Sequence, residues 1–426
     1  MSLVRMGLTN YRCFAGPIDI ELRPVTLVLG RNNSGKSALV RAPLVLSTGI
    51  ETDSPAPLDL DKVGEDIVDS FTDLIYGNRP HGSIGVDLGL EIARGTTLAF
   101  QVGIRNISEL RTQVVERFTA EYKGMQGAVL EWEPGETADG PQRYTIDAPG
   151  RPPAEGTEVP FQGLLPVTAS RNDAVYLAGL SSEMFRRAFG QVRYLGPFRD
   201  RPSRLYRVPA RMPATVGASG EHMAGILASD STRGARALLR EINAGLAESL
   251  PGWTVDVVER GGMVSVVLRS REDDSLAVNL VDTGTGVAQA LPIFVQRALD
   301  RTRPPRGSVL EIVEQPELHL HPYAHAALAD LYLTAARDTG VRFLIETHSE
   351  TLLLRLRVRI AERQADPDDV AIYFVESKDG ASSVRRINVD EAGNLDYWPE
   401  GVFSEDYREA KALASAQLAQ VGSDAG

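Results

Sequence analysis

Eight consecutive residues, Gly30-Arg31-Asn32-Asn33-Ser34-Gly35-Lys36-Ser37, place two glycines, a lysine and a hydroxyl at the spacing G-x-x-x-x-G-K-[ST]. Glycines at these positions let a loop turn its backbone amides inward around phosphate oxygens. Lys36 supplies a point charge to terminal phosphates, and the Ser37 hydroxyl is a ligand for Mg²⁺. With Ala38 beside them, these residues are the candidate binding set for ATP and Mg²⁺. The bland alternative is a chance glycine-rich turn. Context weighs against it: residues 25–29 are an apolar run that reads as a strand, and residues 38–46 read as a helix that Pro43 kinks or ends. A helix N-terminus just after the loop favours an anion.

A phosphate loop needs acids delivered by a distant strand. Val309-Leu310-Glu311-Ile312-Val313-Glu314-Gln315-Pro316-Glu317 is an apolar strand ending in acids. Glu314 stands at its C-terminal end, where open α/β sheets take ligands, and is the candidate metal carboxylate. A second apolar strand, residues 342–345, is followed by Thr347-His348-Ser349. His348 there is a candidate donor to a γ-phosphate, while Thr347 and Ser349 also suit a helix cap; both roles can hold together. His319, His321 and His325 invite a zinc reading. Their spacing is not that of a common zinc site and no cysteine joins them, so packing or hydrogen bonding beside the nucleotide is the better expectation.

The elements around these residues are expected as follows. Residues 1–29 read as strands. Residues 51–80 read as loop with one short helix, and 83–146 as an antiparallel meander of short alternating segments. Residues 147–165 are a Pro/Gly-rich connection. Residues 181–191 and 219–250 read as helical with a strand between. A hairpin turns at Gly261-Gly262, and a helix covers 287–299. Helices at 324–336 and 350–363 flank the strand at 342–345, and the end holds one or two strands, an Ala-rich helix and a polar tail. No heptad run is long enough for coiled-coil arms.

Arginines crowd two stretches: Arg193, Arg199, Arg201, Arg204, Arg207 and Arg211, and then Arg355, Arg359 and Arg363 on one helix face. Phosphate contact with DNA or nucleotide is one reading. A face paired with some of the 57 acids is the other.

The 426 residues, 43% hydrophobic and 24% charged, allow a sizeable core. No apolar run approaches the ~18 residues of a membrane span, and the N-terminus lacks a secretory apolar region. A single cysteine, Cys13, excludes an internal disulfide. Cytoplasmic location without membrane association is expected. A net charge of -12 argues against a nucleic-acid cradle over the whole surface, though not against a local basic patch.

These motifs, in this order, resemble the ABC-type ATPases of the RecF, SMC and OLD group, including AAA-type ATPases of bacterial anti-phage systems. Leu8-Thr9-Asn10-Tyr11-Arg12-Cys13-Phe14 looks like the group's first strand and turn. The segment from Asp282 to Pro292, with Gly284, Thr285, Gly286 and Gln289, looks like its signature motif. Glu314-Gln315-Pro316-Glu317-Leu318-His319-Leu320-His321-Pro322 looks like its Walker B and D-loop, and Thr347-His348-Ser349 like its switch histidine. Tyr194-Leu195-Gly196-Pro197-Phe198-Arg199 and Trp398-Pro399-Glu400-Gly401 resemble a subgroup with a small C-terminal domain.

The resemblance implies an α/β P-loop NTPase, an ABC ATPase head with an antiparallel β subdomain and a helical subdomain. The expected division is residues 1–80 for the first part of the ATPase core, 81–165 for the antiparallel subdomain and 166–280 for a helical and hairpin subdomain. Residues 281–365 would carry the signature, Walker B and switch histidine, and 366–426 a small C-terminal extension. It implies ATP and Mg²⁺ as cofactors, and a homodimer or higher homo-oligomer in which Gly284, Thr285, Gly286 and Gln289 face the partner copy's ATP. A separate effector protein, a nuclease among the candidates, and DNA are the implied partners. Only about 77 residues follow Ser349 and they show no acidic triad, so nuclease activity is expected of a partner.

Two positions depart from the group's pattern. Gln315 stands where the group has its catalytic glutamate, and Ala288 where a serine is common. Glutamine hydrogen-bonds water but cannot take its proton, so slow hydrolysis is expected, with Glu317 as the remaining carboxylate near the water and Glu314 reserved for the metal. Thr283 and Thr285 are the candidate substitutes for the serine. A DNA-binding repair or clamp ATPase, as in RecF, and a nucleotide-binding scaffold with little hydrolysis are the rival functions to an ATP-driven switch.

Overall fold

The computed structural model describes every residue except 1, 65, 94, 109–111, 123–124, 135–141, 168–172, 248–249, 274, 399–411 and 414–426. In chain order the strands are β1 (Ser2–Thr9), β2 (Ile18–Glu21), β3 (Val25–Gly30), β4 (Ser83–Ala93), β5 (Thr96–Ile107), β6 (Thr112–Tyr122), β7 (Met125–Glu133), β8 (Arg143–Asp147), β9 (Ala154–Glu158), β10 (Phe161–Gln162), β11 (Leu165–Pro166), β12 (Gln191–Leu195), β13 (Tyr206–Arg207), β14 (Trp253–Arg260), β15 (Met263–Ser270), β16 (Ala277–Asn279), β17 (Val309–Glu314), β18 (Arg342–Glu346), β19 (Val370–Lys378) and β20 (Ala381–Ile387). The helices are α1 (Lys36–Val40), α2 (Ala42–Ile50), α3 (Asp173–Phe189), α4 (Met223–Arg233), α5 (Ala237–Leu246), α6 (Thr285–Thr302), α7 (Pro322–Thr339) and α8 (Glu350–Ala361).

The continuous apolar runs become the central sheet, in the order β12-β17-β18-β3-β19-β20. All its pairings are parallel except that of the edge strand β20. Every residue of β3 and of β17 is buried, as expected of parallel strands covered on both faces. The alternating segments form an eight-stranded antiparallel sheet, β2-β1-β4-β5-β6-β7-β8-β9. β4 and β5 bury one face and leave the other open, which is why their sequences alternate. β14 and β15 make the expected hairpin around Gly261 and Gly262, with β13 and β16 flanking β15.

Two apolar cores lie on the two faces of the central sheet. Val28, Leu310, Ile312 and Leu344 point to one, shared with α1, α2 and the antiparallel sheet. Leu27, Leu29, Val309, Val313, Phe343 and Ile345 point to the other, shared with α4 to α8. Helix α6 runs through this second core and is buried at every residue from Ala288 to Asp300. Beneath it, Glu311 turns inward from β17 and pairs with Arg297, which also lies 3.0 Å from Asp300; Arg193 of β12 meets Asp300 at 2.6 Å. These buried charges bind α6 to two strands of the sheet.

Several expectations need correction. The helix after the phosphate loop is two helices, broken at Arg41. The break comes before Pro43, which sits in the first turn of α2, where its missing N–H is no loss. The segment expected to hold one short helix has three 3₁₀ turns, at Leu60–Lys62, Phe71–Leu74 and Tyr76–Asn78. The Pro/Gly-rich connection contains β9, β10 and β11. Apart from residues 412–413, the expected C-terminal helix lies outside the described residues, as do Pro399, Glu400 and Gly401. No described helix is long and apolar enough to cross a membrane.

Candidate functional site

The phosphate loop runs from the end of β3 to the start of α1. Asn33 (φ 60°) and Gly35 (φ 100°) turn it through left-handed backbone. Gly30 and Gly35 are also required by space. A β-carbon on Gly30 would stand 2.3 Å from the Val375 carbonyl oxygen, and one on Gly35 would stand 2.4 Å from Cys13 Sγ. Lys36 is buried and folds back on its own loop, donating from Nζ to the Arg31 carbonyl at 2.7 Å. Burial holds its pKa below the ordinary lysine value, against the pull of Glu346 3.9 Å away.

Strand parity decides which acids reach this loop. Side chains alternate along a strand, so Glu314 shares a face with Leu310 and Ile312, and Glu346 shares a face with Leu344. This is the face covered by α1. In the parallel register Glu314 is the direct partner of Glu346, and the two acids close β17 and β18 side by side. Both are buried, at 2% and 4% exposure. The Ser37 hydroxyl donates to Glu346 Oε2 at 2.8 Å. Glu314 is occupied otherwise: Arg41 grips it with Nε on Oε1 at 2.5 Å and Nη2 on Oε2 at 2.7 Å. Burial raises the Glu346 pKa, and the charge of Glu314 adds to this against the Ser37 hydrogen bond.

After Glu314 the chain makes a tight acid turn. Gln315 has φ 45°, a left-handed conformation that costs a non-glycine residue about 1–2 kcal/mol. Its N–H donates to the Glu346 carbonyl at 2.7 Å, which locks the turn to the end of β18. Glu317 Oε1 accepts the His348 backbone N–H at 2.7 Å, while its buried Oε2 has no hydrogen-bond partner. The His348 imidazole is half-buried. Burial and then the nearby Lys36 charge lower its pKa, so it is neutral at pH 7. Ser349 caps α8 by accepting from the Leu352 N–H, and Thr347 Oγ1 accepts from the Ser349 N–H.

The signature segment opens α6, with Gly284 as its N-cap and Thr285 and Gly286 in the first turn. It joins the acid turn through two contacts. Gly286 lies against the His319 carbonyl, and Gln289 donates to the Arg199 carbonyl at 3.2 Å. Arg199, 6% exposed, in turn donates from Nη2 to the Glu314 and Gln315 carbonyls at 3.2 and 3.4 Å. Phosphate loop, strand-end acids and His348 are thus brought together directly, and the signature segment is attached to them through Arg199 and His319. Thr283 donates to the Leu280 carbonyl at the turn before α6.

Two of the three histidines after Glu317 hold backbone and hydroxyl groups. His321 caps α7, and His325 bridges Ser349 Oγ and the Leu320 carbonyl. Among the described residues no three His, Cys, Asp or Glu side chains cluster to hold a metal. Four of the nine arginines in the basic stretches, Arg193, Arg204, Arg355 and Arg359, are paired with acids. Arg355 and Arg359 both grip Asp330, and Arg204 makes two 2.7 Å bonds to Asp282.

Two residues of the site were not singled out from sequence. Glu346 carried the same signal as Glu314, an acid closing an apolar strand. Arg41 had no local signal, because its partner lies more than a hundred residues away, and Arg199, read as part of a basic stretch and of the Tyr194–Arg199 motif, gave no sign that it would hold the acid turn.

Residues 366–413 match a protein family of unknown function, DUF3696. The chain is 22% identical over 393 residues to an OLD nuclease of Thermus scotoductus, a match that covers 88% of this chain and 65% of the relative. The chain therefore spans less than two thirds of that relative's length. Among solved structures it is similar to an SMC head bound to the C-terminal winged-helix domain of ScpA, with TM-score 0.50 and 13% identity over 92% of this chain and 99% of the other. It is also similar to the SMC head domain of Thermotoga maritima, with TM-score 0.43 and 14% identity over 91% and 100% of the two chains. At such identities the likeness is one of fold. The chain has the α/β P-loop fold of ABC type shared with SMC heads, and in sequence it is similar to an OLD nuclease.

Proposed function

We propose that this chain is an ATP-operated switch. It binds ATP and Mg²⁺ at residues 30–38, pairs with a second copy around the nucleotide, hydrolyses it slowly and so controls a separate effector protein. The observation that carries this reading is the convergence of Lys36, Ser37, Glu314 and Glu346 at the C-terminal ends of three adjacent parallel strands. Ligands bind at that edge of open α/β sheets.

The oxygens available there, one hydroxyl and two carboxylates, are hard donors that suit Mg²⁺, which needs only one or two protein ligands when phosphate and water supply the rest. Ser37 and a strand-end acid would hold it. When bound, Mg²⁺ neutralises charge on the β- and γ-phosphate oxygens. Lys36 exchanges the Arg31 carbonyl for the same phosphates. Neutral His348 has one ring N–H to donate to the γ-phosphate. Gln315 orients the attacking water without accepting its proton, and Glu317, with one oxygen unpaired, is the nearest base on the acid turn. Turnover below about 0.1 s⁻¹ follows, two decades under a typical ~10 s⁻¹.

In this reading Gly284 and Thr285, exposed at the start of an 18-residue helix, face the partner copy's nucleotide, while Gly286 and Gln289, expected to do the same, turn inward onto the His319 and Arg199 carbonyls. The effector and an anti-phage setting rest on the resemblance of the motifs. A second reading, a nucleotide scaffold with little hydrolysis, is favoured by Gln315. The pairing of Arg193, Arg204, Arg355 and Arg359 with acids weakens the third, a DNA-binding repair ATPase.

The test is calorimetric ATP binding with light scattering. The wild type should bind ATP and gain mass on binding, and Lys36→Ala should lose the binding. Equal ATP affinity in a folded Lys36→Ala variant, or no binding by the wild type, overturns the reading. Salt-dependent DNA binding with no ATP-dependent association would move it to the repair class.

A further inference from the structure

Glu346 and Glu314 close neighbouring strands, yet they are not equivalent. Glu314 has both oxygens in the fork of Arg41, a bidentate pair that satisfies its charge inside the protein. Glu346 is as deeply buried, but its hydrogen bond is from a neutral hydroxyl, Ser37 Oγ, and the nearest cation, Lys36, is 3.9 Å away and donating elsewhere. A buried carboxylate left in this way is costly unless a cation meets it. The hydroxyl that touches it belongs to the residue whose place in the motif is that of a metal ligand. Because Ser37 gives its proton to Glu346, its lone pairs are left to face the phosphate side.

We propose that Glu346 is the carboxylate that completes the Mg²⁺ site with Ser37, and that Glu314 is held back by Arg41 as the anchor of the acid turn. This rests on the reading of residues 30–38 as an ATP site. The argument is one of charge. When ATP draws Lys36 onto its phosphates, Glu346 is left facing a polyanion at close range. That juxtaposition is repulsive with no metal between them and attractive with one. Glu346 therefore penalises metal-free ATP and rewards the magnesium complex, so it makes the loop select Mg²⁺–ATP over free ATP. The Gln315 N–H bond to the Glu346 carbonyl ties the acid turn to the same residue.

The experiment measures equilibrium affinity for a fluorescent ATP analogue in Mg²⁺ and in EDTA, for the wild type, Glu346→Gln and Glu314→Gln. The wild type should prefer the magnesium complex by about tenfold or more. In Glu346→Gln this ratio should shrink to about threefold or less, with weaker binding in Mg²⁺ and tighter binding in EDTA, since a buried negative charge has been removed. Glu314→Gln should keep most of the wild-type ratio. Mn²⁺ titrated into the analogue complex and followed by electron paramagnetic resonance should show the same order of affinities. If Glu346→Gln does not fold, Glu346→Asp, which withdraws the charge by one methylene, should give an intermediate ratio. A wild-type ratio in the folded Glu346 variant, or a ratio lost in Glu314→Gln instead, overturns the assignment of Glu346 alone. A wild type that binds the analogue under neither condition overturns the ATP reading itself.

Discussion

Gly286 packs its α-carbon against the carbonyl oxygen of His319, so closely that a β-carbon there would stand 2.7 Å from that oxygen. The start of α6 is thereby pressed onto the turn that follows Glu317. Two residues earlier, Gly284 meets nothing within 4 Å, and its backbone is one any residue can adopt. The two glycines are therefore separable by mutation. Gly284→Trp should fold, bind ATP as the wild type does and fail to associate on adding ATP. Gly286→Ala should disturb the His319 turn as well and weaken function even in the monomer. Light scattering with and without ATP reads the first effect; an ATP-dependent dimer of undiminished stability in Gly284→Trp would remove the signature segment from the interface.

Gln315 sets the expected rate. A carboxylate at its place would orient the water and accept its proton, so Gln315→Glu should raise steady-state turnover, by about tenfold or more. Glu317→Gln should lower it measurably, because Glu317 Oε2 is a free acceptor on the same turn. A fast wild type that Gln315→Glu leaves unchanged would place the base elsewhere and end the slow-switch idea.

His348 gives a pH signature. Burial, with Lys36 behind it, holds its pKa below the ordinary 6.5. On acidification the unfolded chain therefore protonates this ring first. Its contribution to stability is whole above about 6.5 and is lost as pH falls from there toward the folded value. The histidine ring signals in nuclear magnetic resonance should include one with a midpoint under 6.5 that vanishes in His348→Gln. The same variant should show a shallower acid limb in urea unfolding. A midpoint at or above 6.5 for the folded ring contradicts the prediction.

Arg297 tests the foundation under the site. It is 2% exposed and pairs with Glu311 and Asp300 beneath β17. Arg297→Met leaves the buried charge of Glu311 to the more distant Arg193, 3.9 Å away, so it should cost up to about 3–5 kcal/mol in denaturant unfolding. Adding Glu311→Leu should recover part of that loss. A single-variant cost under about 1 kcal/mol would mean that the buried network contributes little.

Much of this architecture could be read from the chain because its signals are local. The phosphate loop is eight adjacent residues, and β3, β17 and β18 are apolar runs with acids or glycine at their ends. What escaped was pairing across distance. Glu346 ends a strand much as Glu314 does, but only the register of β17 on β18 reveals that the two are side by side, and only the return of α1 puts Ser37 on Glu346. Likewise residues 1–29 read simply as strands, with nothing to show that β1 hydrogen-bonds to β4 and belongs to the antiparallel sheet while β3 belongs to the central one. For Arg355 and Arg359 a face paired with acids is one of the two readings, but only the packing of α7 identifies the acid as Asp330.

Arg199 offers a different consequence. One guanidinium holds the carbonyls of Glu314 and Gln315, and the same residue's carbonyl is held by Gln289. Its Nε and Nη1 are buried without partners, so the residue is kept in place by few bonds. A residue tethered at both ends carries free energy in both directions. Strain that a ligand imposes on the start of α6 would reach the left-handed backbone of Gln315 through this residue, and by linkage binding at one end would then change affinity at the other by the same factor. In a pair of such chains, where each signature turn touches the other's nucleotide, the two sites would then keep time with one another rather than fire independently.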